Sequence, residues 1–129
     1  MITHVGTVSV FVRNQDRAKT FYTDVLGMKL RMDVPLYPGA ATRWISVVPA
    51  SAETEIILYL PDANWTHYKE TIGQAQALTL SVDDIAMTHR ALQEKGVHFV
   101  QEPKTEAWGT FAAIEDSEGN RLLLVQAAS

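Results

Sequence analysis

The chain of 129 residues contains no cysteine, which excludes disulfides, cysteine-ligated zinc and a thiol nucleophile. Its 11 lysines and arginines stand against 15 aspartates and glutamates, so it lacks the basic excess that binding to nucleic acid requires. No apolar run approaches the roughly 20 residues that span a bilayer, and the N-terminus lacks the basic and long apolar regions of a signal peptide. These absences predict a cytoplasmic protein that binds neither nucleic acid nor membranes.

The remaining composition is that of an ordinary globular protein. Hydrophobic residues make up 47% of the chain and charged residues 20%, which is typical of a soluble domain with a buried core. A chain of this length fits one compact domain, and we expect that domain to span residues 1–129.

Two stretches of the chain share one pattern. Residues 8–12 (VSVFV) and 78–82 (LTLSV) each alternate apolar and polar side chains, and a helical pattern that ends in glycine follows each. Val12 and Val82 lie 70 positions apart, whereas Gly27 and Gly96 lie 69 apart, so one deletion aligns the copies. Ligand sites tend to form where repeated units face each other. We therefore expect the functional site between the two halves.

Each copy predicts the element order strand, helix, strand, strand, strand. In the first copy, residues 3–60, hydrophobic spacing predicts a helix that Asn14 or Asp16 caps and Gly27 ends. The strands of this copy are predicted at residues 3–12, 28–32, 43–48 and 54–60. In the second copy, residues 77–127, a helix is predicted over 84–95, with strands near 75–82, 97–101, 107–115 and 121–126 and a tight turn at 117–120. The connecting segment, residues 61–76, is expected to carry a short helix with Trp65 and Tyr68, capped by Asp62 or Asn64.

Three segments resemble the vicinal oxygen chelate superfamily, which includes glyoxalase I, bleomycin-resistance proteins and extradiol dioxygenases. They are residues 10–27 (VFVRNQDRAKTFYTDVLG), 78–82 (LTLSV) and 115–125 (EDSEGNRLLLV). The resemblance implies an α+β fold in which two βαβββ modules form a cupped mixed sheet with the helices outside. It also implies a homodimer with ligand sites in the cups.

In metal-dependent members of that superfamily, four side chains on the strands hold the metal ion. The resemblance places the corresponding positions at Thr7, Leu58, Ala77 and Leu123. A divalent ion needs nitrogen or oxygen donors at roughly 2.0 to 2.6 Å, and methyl or isobutyl groups offer none. The four histidines, at positions 4, 67, 89 and 98, show no metal-ligand spacing. We therefore predict that the protein holds no metal and no other cofactor.

Strand alternation predicts a cup lined by hydrocarbon and hydroxyl side chains, which suits a flat or aliphatic organic molecule. The predicted lining consists of Thr7, Ser9, Phe11, Ile56, Leu58, Leu60, Ala77, Thr79, Ser81, Leu123 and Val125. Trp44, Trp65 and Trp108 are candidates to wall the cup, with core or dimer packing as the alternative. Arg43 either pairs with a ligand carboxylate or is an exposed arginine at a strand end.

Two functions remain open at this stage. The vacant ligand positions favour a metal-free protein that binds or sequesters a small hydrophobic or aromatic molecule without transforming it. The alternative is a glyoxalase-like lyase or a dioxygenase, in which a metal would act as Lewis acid through ligands that the sequence does not reveal. No nucleophile and base can be paired from the sequence, so no catalytic residue is assigned.

Overall fold

The computed structural model describes residues 1–61, 66–74 and 76–128, with the side chains of residues 66–68, 76 and 77 left aside. Eight strands and three α-helices follow one another in these ranges. They are β1 (Thr7–Phe11), α1 (Gln15–Thr20), β2 (Lys29–Pro35), β3 (Arg43–Val48), β4 (Glu55–Tyr59), α2 (Thr66–Thr71), β5 (Gln76–Ser81), α3 (Ile85–Glu94), β6 (Phe99–Glu106), β7 (Gly109–Glu115) and β8 (Arg121–Ala127). A π-helical turn, Phe21–Val25, continues α1.

The chain divides into two compact units, residues 1–72 and 73–129. The division falls within the segment that was expected to connect the two copies. Unit 1 contains a four-stranded sheet in the order β1-β4-β3-β2, and unit 2 contains one in the order β5-β8-β7-β6. In each sheet the first strand runs parallel to the fourth, and the other pairs are antiparallel. The predicted α+β fold of two βαβββ modules is confirmed.

The helix of unit 1 begins at a side-chain cap and ends in a wide turn. Asn14 accepts a hydrogen bond from the backbone N–H of Arg17, which satisfies a donor that the first helical turn leaves free. The π-helical turn carries Tyr22, whose side chain is fully buried. Gly27 follows at φ 74°, a left-handed conformation that glycine adopts without steric cost. Helix start and end therefore fall where the sequence predicts them.

One buried polar side chain fixes α1 on its sheet. The Gln15 amide group donates to the carbonyl oxygens of Arg43 and Leu58, both at 2.8 Å, and its own oxygen accepts from the Arg43 N–H at 3.1 Å. Because Arg43 begins β3 and Leu58 lies in β4, this one side chain ties the helix to two strands.

Unit 2 uses the same elements with a regular helix. Asp84 caps α3 by accepting from the backbone N–H of Met87, and the Ile85 N–H donates to the side-chain oxygen of Gln126 in β8 at 2.7 Å. The predicted turn between β7 and β8 forms around Asp116, whose carboxylate accepts from the backbone N–H groups of Glu118 and Asn120.

The observed elements match the predicted order, with different boundaries. β1 is shorter than predicted, because only residues 7–11 pair with β4, and β6 extends to Glu106. The predicted caps Asp62 and Asn64 lie outside the described residues, as does Trp65. Within the described part of the chain, no helix combines the length and the apolar composition needed to cross a bilayer.

Candidate functional site

The sheet of unit 1 has one face toward α1 and one face away from it. Asp33 of β2 and Arg43 of β3 make ion pairs with Lys19 and Asp16 of α1, so the side chains that share their side of the sheet form the helix face. We call the opposite surface the cup face of unit 1. By register it carries Thr7, Ser9, Phe11, Lys29, Met32, Val34, Trp44, Ser46, Val48, Glu55, Ile57 and Tyr59.

The prediction that Leu58 lines the cup is wrong. In the parallel pairing of β1 with β4, Val10 lies beside Leu58 and Ser9 lies beside Ile57, and paired residues of neighbouring strands point to the same side. Leu58 is therefore buried on the helix face together with Val10, and Ile56 follows it for the same reason. Leu60 follows the end of β4, and its place in the lining stays a prediction.

Three aromatic side chains lie at one end of the cup face of unit 1, because the pairing of Ser46 with Ile57 sets Trp44 opposite Tyr59, and Phe11 lies beside Tyr59. The rings of Phe11 and Tyr59 meet edge to face, with centroids 6.1 Å apart, an arrangement that the ring quadrupoles favour. Trp44, on β3, lies beside Val34 of the edge strand β2 and is partly exposed. Further along the same face, Ile57 and Val48 are at most 1% exposed, so that part of the face is apolar and buried.

Unit 2 presents a cup face of its own, opposite α3. Its helix face is identified by Phe99, whose ring meets that of His89 in α3 at 4.6 Å between centroids. The cup face carries Thr79, Ser81, Gln101, Lys104, Glu106, Phe111, Ala113, Glu115, Arg121, Leu123, Val125 and Ala127. Thr79 and Leu123 thus lie side by side, whereas the side chain of Ala77 is outside the described part of the structure.

Trp108 lies in the turn between β6 and β7 and stacks on the ring of Phe111, with centroids 5.4 Å apart and 27° between the planes. Because Phe111 belongs to the cup face, this stack extends the face at its edge. Trp108 is 55% exposed, so one side of the indole remains available for contact.

The four positions that the family resemblance assigns to metal ligands carry one oxygen donor among them, the hydroxyl of Thr7. Thr7 and Leu123 lie on cup faces, and Ile57, next to the mispredicted Leu58, is the residue of β4 that points the same way as Ser9. Isobutyl and sec-butyl groups donate no electron pair, and neither does the methyl group of Ala77. These residues do not fit a divalent ion. Across residues 1–61, 66–74 and 76–128, no three histidine, aspartate or glutamate residues come together as a metal site would require.

The histidines have partners within the protein. His89 packs against Phe99 and lies 2.5 Å from a carboxylate oxygen of Glu102, and His98 lies 3.4 Å from Glu115. His4 is exposed and bonds to the hydroxyl of Thr3. The side chain of His67 is outside the described set.

Arg43 does not line the cup with Trp44, because its side chain belongs to the helix face. Its guanidinium donates to Asp33 at 2.9 Å and to Asp16 at 2.8 Å, and Lys19 also bonds to Asp33 at 2.8 Å. Hydrogen bonds from Arg43 first, and then from Lys19, lower the pKa of Asp33 to about 2. Hydrogen bonds to Asp33 first, and then to Asp16, raise the pKa of Arg43 above its usual range. Arg43 is thus committed to a network within the protein.

Residues 2–124 match the family described as the Glyoxalase/Bleomycin resistance protein/Dioxygenase superfamily. The chain belongs to this superfamily. Members similar to it include YetH of Bacillus subtilis (strain 168), 36% identical over 96% of this chain and 98% of that protein.

Two further proteins that are similar to this chain are described as having different functions from each other. The crystal structure of TnmS3, described as an antibiotic binding protein from Streptomyces sp. CB03234, matches with a TM-score of 0.83 and 34% identity, over 98% of each chain. A probable lactoylglutathione lyase of Synechocystis sp. (strain ATCC 27184 / PCC 6803 / Kazusa) is 31% identical over 92% of this chain and 91% of that protein.

Several residues of the two cup faces escape prediction from the sequence. Ile57 and Tyr59 are missed because the surrounding strand is apolar at consecutive positions, so alternation does not distinguish its faces. Ser46 and Phe111 lie on strands β3 and β7, for which no face was predicted. A lone serine within the apolar strand β3 is the one signal that points to Ser46.

Proposed function

We propose that this protein binds a small hydrophobic or aromatic molecule on its cup faces and does so without a catalytic metal. The observation that carries the proposal is the hydrocarbon character of Ile57 and Leu123 on the cup faces, with Leu123 at a position that the family resemblance assigns to a metal ligand. A face made largely of hydrocarbon and aromatic side chains suits an apolar ligand, which gains free energy as its surface leaves water.

The aromatic residues supply the second argument. Trp44 with Val34 in unit 1, and Trp108 with Phe111 in unit 2, offer large rigid surfaces against which a planar ring can stack. Hydroxyl groups of Ser9 and Thr79 on the same faces can orient such a ligand. The similarity to TnmS3, which is described as an antibiotic binding protein, is consistent with this kind of ligand.

The test combines elemental analysis with thermal unfolding. We expect purified protein to contain no stoichiometric nickel, zinc, iron or manganese, and we expect none of these ions to raise the Tm. Aromatic compounds such as naphthol are expected to raise it, because a ligand that binds only the folded state stabilises it. Stoichiometric metal with ion-dependent stabilisation would overturn the proposal.

Tryptophan variants locate the binding surface. Trp44→Leu and Trp108→Leu are each expected to weaken naphthol binding in their own unit by about tenfold, since an aromatic pair contributes roughly 1 kcal/mol beyond its buried area. The matched control is Tyr37→Leu, which removes a 61% exposed aromatic ring from the connection between β2 and β3. Fluorescence titration of the three variants should leave only the control with wild-type affinity.

A metal-dependent lyase is the second candidate, and the similarity to the probable lactoylglutathione lyase favours it. It requires donors other than the side chains at the four positions that the resemblance assigns to metal ligands, Thr7, Leu58, Ala77 and Leu123. Lyase activity that appears on addition of a divalent ion and disappears with a chelator would establish it in place of the binding function.

We further propose that the protein forms a homodimer in the cytoplasm. Beyond the residues assigned to the ligand, the edge strand β2 and the segment after it expose the apolar side chains of Leu30 and Leu36, and an unpaired sheet edge with exposed apolar side chains is suited to a contact between proteins. Sedimentation equilibrium is expected to give twice the mass of one chain, and a monomer at all concentrations would contradict this part.

A further inference from the structure

Ser46 presents an unusual hydroxyl group on the cup face of unit 1. Its side chain is fully buried, and its Oγ has no hydrogen-bond partner among the groups that the structure describes. A buried hydroxyl without a partner costs roughly 1 to 3 kcal/mol, so most buried hydroxyls in proteins are paired. This orphaned group points to a partner from outside the chain.

The neighbours of Ser46 show where such a partner can approach. Ile57 lies beside it on β4 and Met32 beside it on β2, while Trp44 and Val48 flank it two positions away along β3. Ile57 and Val48 are buried, whereas Met32 is 47% exposed. Ser46 therefore stands at the border between the buried half of the face and the half that solvent reaches.

Met32 makes this border adaptable. It lies on the edge strand of the sheet, and its unbranched thioether side chain has three rotatable bonds that let it move aside for another molecule. A ligand that settles on Trp44 and displaces Met32 meets the hydroxyl of Ser46 at the inner end of its path.

The four neighbours also decide the chemistry of the group that Ser46 accepts. They are uncharged, and burying a carboxylate or an ammonium group among them without a counter-charge costs far more than burying a neutral group. A hydroxyl or carbonyl oxygen forms the bond without that penalty.

We propose that the hydroxyl of Ser46 is the hydrogen-bond anchor of the ligand, and that the ligand is a largely apolar ring system with a neutral hydroxyl or carbonyl group directed at Ser46. This inference rests on the proposed binding function and adds to it the class of molecule that unit 1 selects. Selection arises because an analogue without the polar group leaves the Ser46 hydroxyl unpaired.

The test compares naphthol with methylnaphthalene, which differ by the exchange of a hydroxyl for a methyl group. Wild-type protein is expected to bind naphthol at least about tenfold more tightly, and Ser46→Ala is expected to reduce this ratio to about one. Ser46→Cys, which keeps the shape but offers a weaker donor, should give an intermediate ratio.

Ser117→Ala is the matched control. Ser117 also has a buried Oγ without a partner among the described groups, but it lies in the turn between β7 and β8. It is expected to leave the ratio at the wild-type value. A second readout is the Tm without ligand, which Ser46→Ala should leave unchanged or raise, since it removes an unpaired polar group.

The outcomes separate this inference from the binding function. If wild-type and Ser46→Ala proteins bind both compounds with the same ratio, the role of Ser46 is refuted and the binding function stands. A fall of the ligand-free Tm in Ser46→Ala by several degrees would assign the hydroxyl to the fold and also refute its role. If wild-type protein binds neither compound, the proposed function fails and this inference fails with it.

Discussion

The two units are built on one plan but fasten their helices in opposite ways. In unit 1 a side chain of the helix, Gln15, reaches to the backbone of β3 and β4. In unit 2 a side chain of the sheet, Gln126, reaches to the backbone N–H of Ile85 at the start of α3. Both units thus hold the helix on the sheet through a glutamine side chain. The glutamine belongs to the helix in unit 1 and to the sheet in unit 2.

The helical segment of unit 1 is one residue longer than that of unit 2, and the structure shows where the additional residue is accommodated. Gln15 and Gly27 enclose one residue more than Ile85 and Gly96. Unit 1 absorbs it in the π-helical turn, where the Leu26 N–H donates to the carbonyl oxygen of Phe21, five residues earlier. π-Helical turns commonly arise as such single-residue additions, frequently at functional sites.

Matched deletions are expected to have the largest and most unequal effects. Removal of Thr23 lets the π-helical turn become α-helical and preserves the packing on both sides, at an expected cost below about 1 kcal/mol. Removal of Arg90 from α3 rotates the buried Leu92 out of its place, with an expected loss of about 2 to 5 kcal/mol, as for truncation of a core leucine. Urea unfolding measures both, and equal losses would refute the role assigned to the π-helical turn.

Variants of Gln15 and Gln126 test the hydrogen bonds that hold each helix on its sheet. Gln15→Ala removes three hydrogen bonds and leaves backbone groups of Arg43 and Leu58 unpaired, so we expect a loss of about 3 kcal/mol. Gln126→Ala removes the one bond to Ile85, for an expected loss of about 1 kcal/mol. If chemical denaturation gives the reverse order, the helix of unit 1 is held mainly by its apolar contacts.

Removal of the ion pairs on the helix face of unit 1 is expected to have the smallest effect on stability. The folded-state pKa of Asp33 lies at about 2, below the ordinary value of 3.8. The stability that Asp33 contributes to the folded state is therefore present above pH 4 and is lost as the pH falls toward 2. Asp33→Asn should therefore cost about 1 kcal/mol at pH 7 and less at pH 2. Asp83→Asn, at an exposed position before α3, serves as the control. A cost for Asp33→Asn that does not change with pH would contradict this account.

The fold was largely predictable from the sequence because its signals are local. Asn14 and Asp84 cap the helices, and Gly27 and Gly96 follow their ends at φ 74° and 81°, conformations that few other residues adopt. The face of β4 was not predictable. Ile56, Ile57 and Leu58 are all buried, and a strand that is apolar on both sides gives no alternation to follow.

In the candidate site too, some positions were predictable from the sequence and others were not. Thr79 could be assigned to a face because polar and apolar residues alternate around it in β5, whereas Leu123 lies in an apolar run and was assigned from the family resemblance. The register of β5 with β8 pairs the two residues. Ser46 could not be recognised, since a serine in a strand is equally compatible with an exposed position. Only its place between Ile57 and Met32 reveals a buried hydroxyl.

The sequence by itself determined the order of the elements, the duplication and the absence of cysteine, because these depend on the spacing and identity of neighbouring residues. The tertiary structure alone decided which side chains share a face, how Arg43 is engaged by Asp33 and Asp16, and where an additional residue is absorbed in the first helix. Strand pairing joins residues far apart in the chain, and a shift of one residue reverses every side chain. That information resides in the register and not in the spacing of the residues along the chain.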